Sequence, residues 1–166
     1  IPHEGVILDD GKRSSTTGSA FSLSDDGVWL TARHVAEGCD TTWIQIAPKK
    51  ALKVRRTIIH PRADVAVLTT RGGPSGLTLS DAQPRRGDAA FKIGFPKGAP
   101  GAVHGSYLGE IAMRHRGRNG YREKVNVWSE VSRIPGRFGS LGGLSGGAVF
   151  DDTGRVIGIV EAESRR

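Results

Sequence analysis

The chain has a single cysteine, Cys39, in 166 residues. No internal disulfide can form, which excludes a small scaffold stapled by cross-links. Cys39 reads as a small buried apolar residue, because an isolated thiol is usually packed and inert. Long apolar runs are missing as well. None approaches the ~20 residues that a membrane-spanning helix requires, so the chain reads as soluble. It opens Ile1-Pro2 with neither an initiating methionine nor a signal-peptide pattern. That reads as a processed or trimmed product whose leader or anchor lies elsewhere. Metal signatures are also lacking. There is no HExxH and no Cys/His cluster, so no metal and no other cofactor is expected. Acidic residues are the minority: 24 Lys and Arg stand against 17 Asp and Glu, a net charge of +7. Basic residues gather at Lys49–Arg56, Arg85–Arg86, Arg114–Lys124 and Arg165–Arg166. Such faces are most often merely solvated, and an anionic polymer or membrane surface remains an open partner. No RNP, zinc-finger or basic-zipper pattern accompanies the charge, so no specific nucleic-acid contact is expected.

What the chain does have is punctuation. The 24 glycines and 8 prolines divide it into short segments rich in Val, Ile, Thr and aromatics. That pattern predicts an all-β fold with no long helix; His34–Gly38 has room for one helical turn. Strands are expected at Gly5–Leu8, Gly18–Leu23, Val28–Thr31, Thr42–Ile46, Leu52–Ile59 and Val65–Thr70. After a break they resume at Ala89–Ile93, Gly105–Met113, Glu123–Val131, Ala148–Phe150 and Val156–Val160. Six strands, a connector and five more strands suggest paired barrels or sandwiches with a cleft between them. Residues 1–71 would form the first lobe, 72–87 the linker and 88–166 the second lobe.

The stretch "GGLSGGAVF", Gly142 to Phe150, surrounds Ser145 with glycines. It matches G-x-S-x-G, the nucleophile elbow of α/β-hydrolases. An elbow, however, needs a helix after the serine and a histidine later in the chain. Here β-type sequence follows, and all five histidines (His3, His34, His60, His104, His115) come earlier. The reverse order is available. "VWLTARHVAEG" puts His34 just beyond an apolar strand, and "HPRADVAVL" puts Asp64 at the head of another. Histidine, aspartate and serine in that order match the chymotrypsin class. The chemistry explains the types. A serine hydroxyl needs a base to take its proton, and an imidazole can return that proton to the leaving amine. A carboxylate on the other ring nitrogen sets the tautomer. Glycines around the serine allow the amides of Gly143 and Ser145 to form an oxyanion hole. Each residue also has an ordinary explanation: a Gly-Ser turn, a surface histidine, a strand-capping aspartate. Their joint order on β segments outweighs these. His60, beside Pro61 and close to Asp64, reads as a connector residue.

With these residues in view, the sequence resembles a trypsin-like serine protease, closest to bacterial HtrA/Deg-type protease domains, without a PDZ domain. The resemblance rests on "GSAFSLSDDGVWLTARHV", "ADVAVL", "IGFPKG" and "GLSGGAVFDDTGRVIGI", which span most of residues 18–160. It implies two packed six-stranded antiparallel β-barrels of chymotrypsin-like fold. The second would lack its last strand or C-terminal helix, because only "EAESRR" follows Val160. It implies a serine endopeptidase with His34, Asp64 and Ser145 as the triad, Gly143 and Ser145 as the oxyanion hole, and a polypeptide substrate. Gly139 would lie near the pocket floor, and Glu161, Ala162 and Glu163 on the strand that lines the substrate. Glu163 would favour a basic side chain, whereas Glu161 would crowd Asp64. Leu144, just before the nucleophile, cannot pair with an ammonium group, so Ile1 is not expected to be an activation terminus. A bacterial envelope, periplasmic or secreted location follows from the same likeness. The rival expectation is a protease-like binding module, or a peptidase whose site is unassembled until an effector binds; either could use the basic surface to hold an anionic partner.

Overall fold

The computed structural model describes residues 4–9, 16–116, 120–136 and 139–161. The first part of the chain contributes β1 (Glu4–Asp9), β2 (Thr17–Ser24), β3 (Val28–Thr31), β4 (Thr42–Ala47), β5 (Lys50–Lys53), β6 (Arg56–Ile59) and β7 (Ala66–Thr69). A single-turn helix, α1 (Arg33–Ala36), follows β3. The second part contributes β8 (Ala89–Gly94), β9 (Gly101–His115), β10 (Tyr121–Ile134), β11 (Ala148–Phe150) and β12 (Val156–Ile159). The all-β expectation therefore holds, with one short helix. Among the described residues no helix is long and apolar enough to cross a membrane.

The strands form two antiparallel sheets. One has seven strands in the order β5-β4-β1-β2-β3-β7-β6, the other five in the order β10-β9-β8-β11-β12. The seventh strand of the first sheet arises where the sequence suggested a single strand, Leu52–Ile59. Two residues interrupt it. The Val54 amide donates to Thr42 O at 3.0 Å and the Arg55 amide to Thr69 O at 2.7 Å. The chain thus leaves β4 for β7 within one step, and β5 and β6 end up on opposite edges of one sheet. A two-residue connection between opposite edges requires that sheet to roll up.

β2 is buried along nearly its whole length because it faces two cores. Side chains alternate across a strand. Ala20 joins Trp29, Ala32, Val35, Ala36, Ile44, Ala66 and Leu68 inside the first sheet. Phe21 turns the other way, to Ala148 and Val156 of the second sheet, with Leu23, Leu30, Leu77, Phe150 and Ile159 packed around them. The second cluster joins the two halves. The connecting segment reinforces it, for Val156 donates to Thr78 O and Ser80 to Val156 O, at 2.9 and 2.8 Å. Trp29 is fully buried, and its indole N–H is satisfied by Thr70 Oγ1 at 2.9 Å. Cys39 is half-buried, contrary to expectation: it follows α1, with Sγ 3.5 Å from Val35 O, and the helix is too short to cover it.

The β9–β10 hairpin is longer than its apolar pattern suggested. Its first half alternates buried and part-buried residues against the sheet, and its outer half is mostly exposed. Two bulges bend it, an extra Leu108 opposite Val127–Trp128 and an extra Val131 opposite Gly105–His104. The outer end reaches the first half of the chain, where both carboxylate oxygens of Glu123 accept the Asp64 amide at 3.2 Å.

Candidate active site

His34 is presented by α1. Arg33, Val35 and Ala36 are buried, which leaves His34 on the outer side of the turn with its side chain 51% exposed. Arg33 anchors the turn through two hydrogen bonds to Glu37, at 2.9 and 2.7 Å, and sits 5.0 Å above the Tyr121 ring. Asp64 lies just ahead of β7, and its side chain is only 3% exposed. One carboxylate oxygen accepts the His34 backbone amide at 2.9 Å; the other lies 2.6 Å from His34 Nδ1. The hydrogen bond to Asp64 raises the His34 pKa above the ordinary 6.5, against the opposing effect of burial, and the charges of Asp64 and Glu161 add to the rise. Burial pushes Asp64 up, but the ring and backbone hydrogen bonds from His34 outweigh it and hold the carboxyl below its ordinary value.

Ser145 sits in a loop clamped to β2. Its carbonyl accepts the Ser19 amide at 2.7 Å. Ser19 Oγ donates to Gly143 O at 2.6 Å and accepts the Phe95 amide at 2.8 Å. Gly146 N bonds Val160 O at 2.7 Å. The glycines here are required by space. A Cβ on Gly146, whose φ is +86°, would stand 2.0 Å from Ser19 O and 2.3 Å from Thr31 Oγ1. Gly143 has φ +96°, and a Cβ there would meet Phe95 O at 2.7 Å. Gly146→Ala is therefore expected to cost about 4 kcal/mol, from backbone strain plus overpacking. That corresponds to a fall in Tm on the order of 10 °C for a chain of this size. Thermal unfolding reads it directly, and an unchanged Tm would mean that the clamp is loose.

The amides of this loop divide into two groups. Gly142, Leu144, Gly146 and Gly147 donate to Ser140 Oγ, Leu141 O, Val160 O and Leu144 O. Those of Gly143 and Ser145 have no hydrogen-bond partner among the described residues. They alternate with engaged amides, so the loop is fixed while these two N–H groups stay available. The Ser145 hydroxyl donates to the Glu161 carbonyl at 3.2 Å and shares no hydrogen bond with His34 among the described residues.

Glu161, expected to crowd Asp64, feels the charges of both Glu123 and Asp64. Burial, then the charges of Glu123 and Asp64, push its carboxyl up to about 7. His115 Nε2 is 2.5 Å from Glu123 Oε1, and His115 stacks on Tyr121 with ring centroids 4.3 Å apart. Donor atoms of His115, Glu123 and Glu161 all lie within 4.8 Å of one another, so this trio is a candidate to hold a metal ion. Neither His115 nor Glu123 stands out as a functional residue in the sequence. The detectable signal is the hairpin itself, whose register sets Tyr121 opposite His115 and Glu123 opposite Met113.

The remaining expected residues are dispersed. Gly139 is exposed, its carbonyl accepting Arg133 Nη1 at 2.8 Å, with open space where a side chain would be. Ala162, Glu163 and Ile1 lie outside the described residues. Leu144 is 1% exposed and packs beside Gly94. His60 caps its connector, accepting the Arg62 amide at 3.2 Å, and His104 stacks on Phe91.

Comparison with known proteins supplies a context. A family model described as "Trypsin-like peptidase domain" matches residues 18–159. A DegP-like periplasmic serine endoprotease of Pseudomonas savastanoi pv. phaseolicola is 28% identical over 153 residues, covering 91% of this chain and 30% of that protein. One from Brucella suis biovar 1 is 29% identical over 154 residues, covering 89% of this chain and 28% of that protein. The chain thus spans less than a third of the length of these relatives. Among solved structures, the active form of the Rv3671c protease from M. tuberculosis superposes with a TM-score of 0.84 at 20% identity, over 98% of this chain and 71% of that one. The HtrA-type protease AlgW with a decapeptide gives 0.75 at 20% identity, over 99% of this chain and 57% of that one.

Proposed function

The chain belongs to the trypsin-like peptidase domain family, with a chymotrypsin-like fold, and from that premise we propose that it is a serine endopeptidase using Ser145, His34 and Asp64. The observation that carries this reading is the grip of buried Asp64 on both the backbone and the ring of exposed His34. With Nδ1–H donated to Asp64, Nε2 is the nitrogen left to act as base. Ser145 Oγ releases the Glu161 carbonyl, donates to Nε2 and attacks the scissile carbonyl carbon. The proton passes to His34, and the oxyanion is held by the amides of Gly143 and Ser145. Collapse expels the amine, which takes the proton from His34, and water then hydrolyses the acyl-enzyme by the same route. Residues 1–71 would act as the lobe bearing base and carboxylate, 88–166 as the lobe bearing the nucleophile, and 72–87 as their linker. The substrate is a polypeptide, and a periplasmic or envelope location is in keeping with the relatives' names.

A fluorophosphonate probe tests the proposal. Covalent labelling of the native protein that disappears in Ser145→Ala supports it; a folded protein that never labels opposes it. One observation favours a gated version of the same reading, the Ser145 hydroxyl held by the Glu161 carbonyl. In that version a peptide effector raises the labelling rate, whereas an ungated enzyme labels at its full rate alone.

A further inference from the structure

His115, Glu123 and Glu161 come from three separate places: the end of β9, the start of β10 and the segment after β12. Two of their polar atoms, His115 Nε2 and Glu161 Oε2, are sealed from solvent and have no hydrogen-bond partner among the described residues. The His115–Glu123 contact is close, at 2.5 Å, yet misaligned for a hydrogen bond. Among the described residues neither glutamate has an ion pair with Lys or Arg. Arg33, the nearby cation, is engaged by Glu37. Asp64 adds a third carboxylate beside them, its amide on Glu123. Buried polar atoms are normally satisfied, and buried charges are normally paired or bound to a metal.

We propose that His115, Glu123 and Glu161 bind one divalent transition-metal ion of the zinc class, with a water or other exogenous ligand at the fourth position. One imidazole and two carboxylates suit such an ion, and three protein ligands are too few for calcium, which takes 6–8 oxygens. The distances fit after small movements. Tetrahedral zinc with bonds of about 2.0–2.2 Å sets its ligand atoms roughly 3.3–3.5 Å apart. The close His115–Glu123 pair must open by less than about 1 Å, and atoms up to 4.8 Å apart must draw in by no more than about 1.5 Å. Stacking on Tyr121 already restricts the imidazole. The ion would tie the hairpin end to the segment whose backbone carbonyl holds the Ser145 hydroxyl. Nothing in this assignment depends on peptidase activity.

The test is isothermal titration of tag-free, metal-stripped protein with zinc chloride, then with magnesium chloride. One equivalent of zinc should bind, and magnesium should bind far more weakly. Glu161→Gln and His115→Gln should each weaken zinc binding by at least about tenfold, while His34→Ala should bind as wild type does. No zinc uptake by the wild-type protein overturns the proposal. So does loss of uptake in His34→Ala with retention in Glu161→Gln, which would put zinc on the His34–Asp64 pair. Should the ligand variants misfold by circular dichroism, cobalt(II) substitution of the wild-type protein decides. Intense four-coordinate d–d bands support the site, and a weak six-coordinate spectrum rejects it.

Discussion

Ser145→Ala is expected to fold like the native protein, to bind substrate, and to lose about 10⁶-fold in kcat. At about 1.4 kcal/mol per tenfold, that is roughly 8 kcal/mol of barrier. The loss is this large because, in the proposed mechanism, the hydroxyl is the bond-forming group. It is not total, because the Gly143 and Ser145 amides survive the change and still stabilise an oxyanion formed by water attack. A residual rate of order 10³-fold over water is expected from those donors and from binding. Single-turnover cleavage of a fluorogenic peptide reads the effect. His34→Ala should lose a similar amount, and the double variant hardly more, because nucleophile and base act as one unit. A Ser145→Ala protein with even a tenth of native activity would move the nucleophile elsewhere.

Asp64→Asn should cost about 10⁴-fold in kcat while leaving the backbone little changed. The asparagine amide can still reach the imidazole, but it favours the wrong tautomer. The pH profile should change as well, and its direction follows from His34. In the native protein the Asp64 contact raises the imidazole pKa. The base form, and with it activity, is then lost as pH falls through a value above 6.5. Without the carboxylate that stabilisation of the imidazolium vanishes, so the acid limb should move to lower pH although the plateau is far smaller. A limb that stays put would mean that the native profile reports another group, and Glu161, titrating near 7, is the nearest candidate. Glu161→Gln separates the two, since it removes that titration and keeps the His34–Asp64 hydrogen bonds.

Much of the layout was legible because strand periodicity and turn chemistry are local. Val28–Thr31 and Ala148–Phe150 appear with their expected bounds, whereas the burial of β2 on both faces comes from partners in both halves. The crowding of glycines near Ser145 was equally readable, although the reason, contact with Ser19 and Thr31 from the other half, is tertiary. What escaped was set by partners far along the chain. The division of Leu52–Ile59 depends on Val54 and Arg55 bonding to two different strands, and nothing in that segment's own pattern announces it. The seventh strand of the first sheet, where six were expected, follows from this corner; the five strands of the second are as expected. Glu123 escaped for a related reason. In the sequence Glu123 is one charge in a basic run; only the hairpin's reach makes it a receptor for the Asp64 amide.

That reach makes β9–β10 a bridge. Its base lies on the second sheet, its bends are the bulges at Leu108 and Val131, and its outer end, through Glu123, accepts the backbone amide of Asp64, the residue that steadies His34. Leu108, Ile111 and Val131 stand exposed along the arm. The arm thus ties the residue that holds His34 to an element rooted in the other sheet.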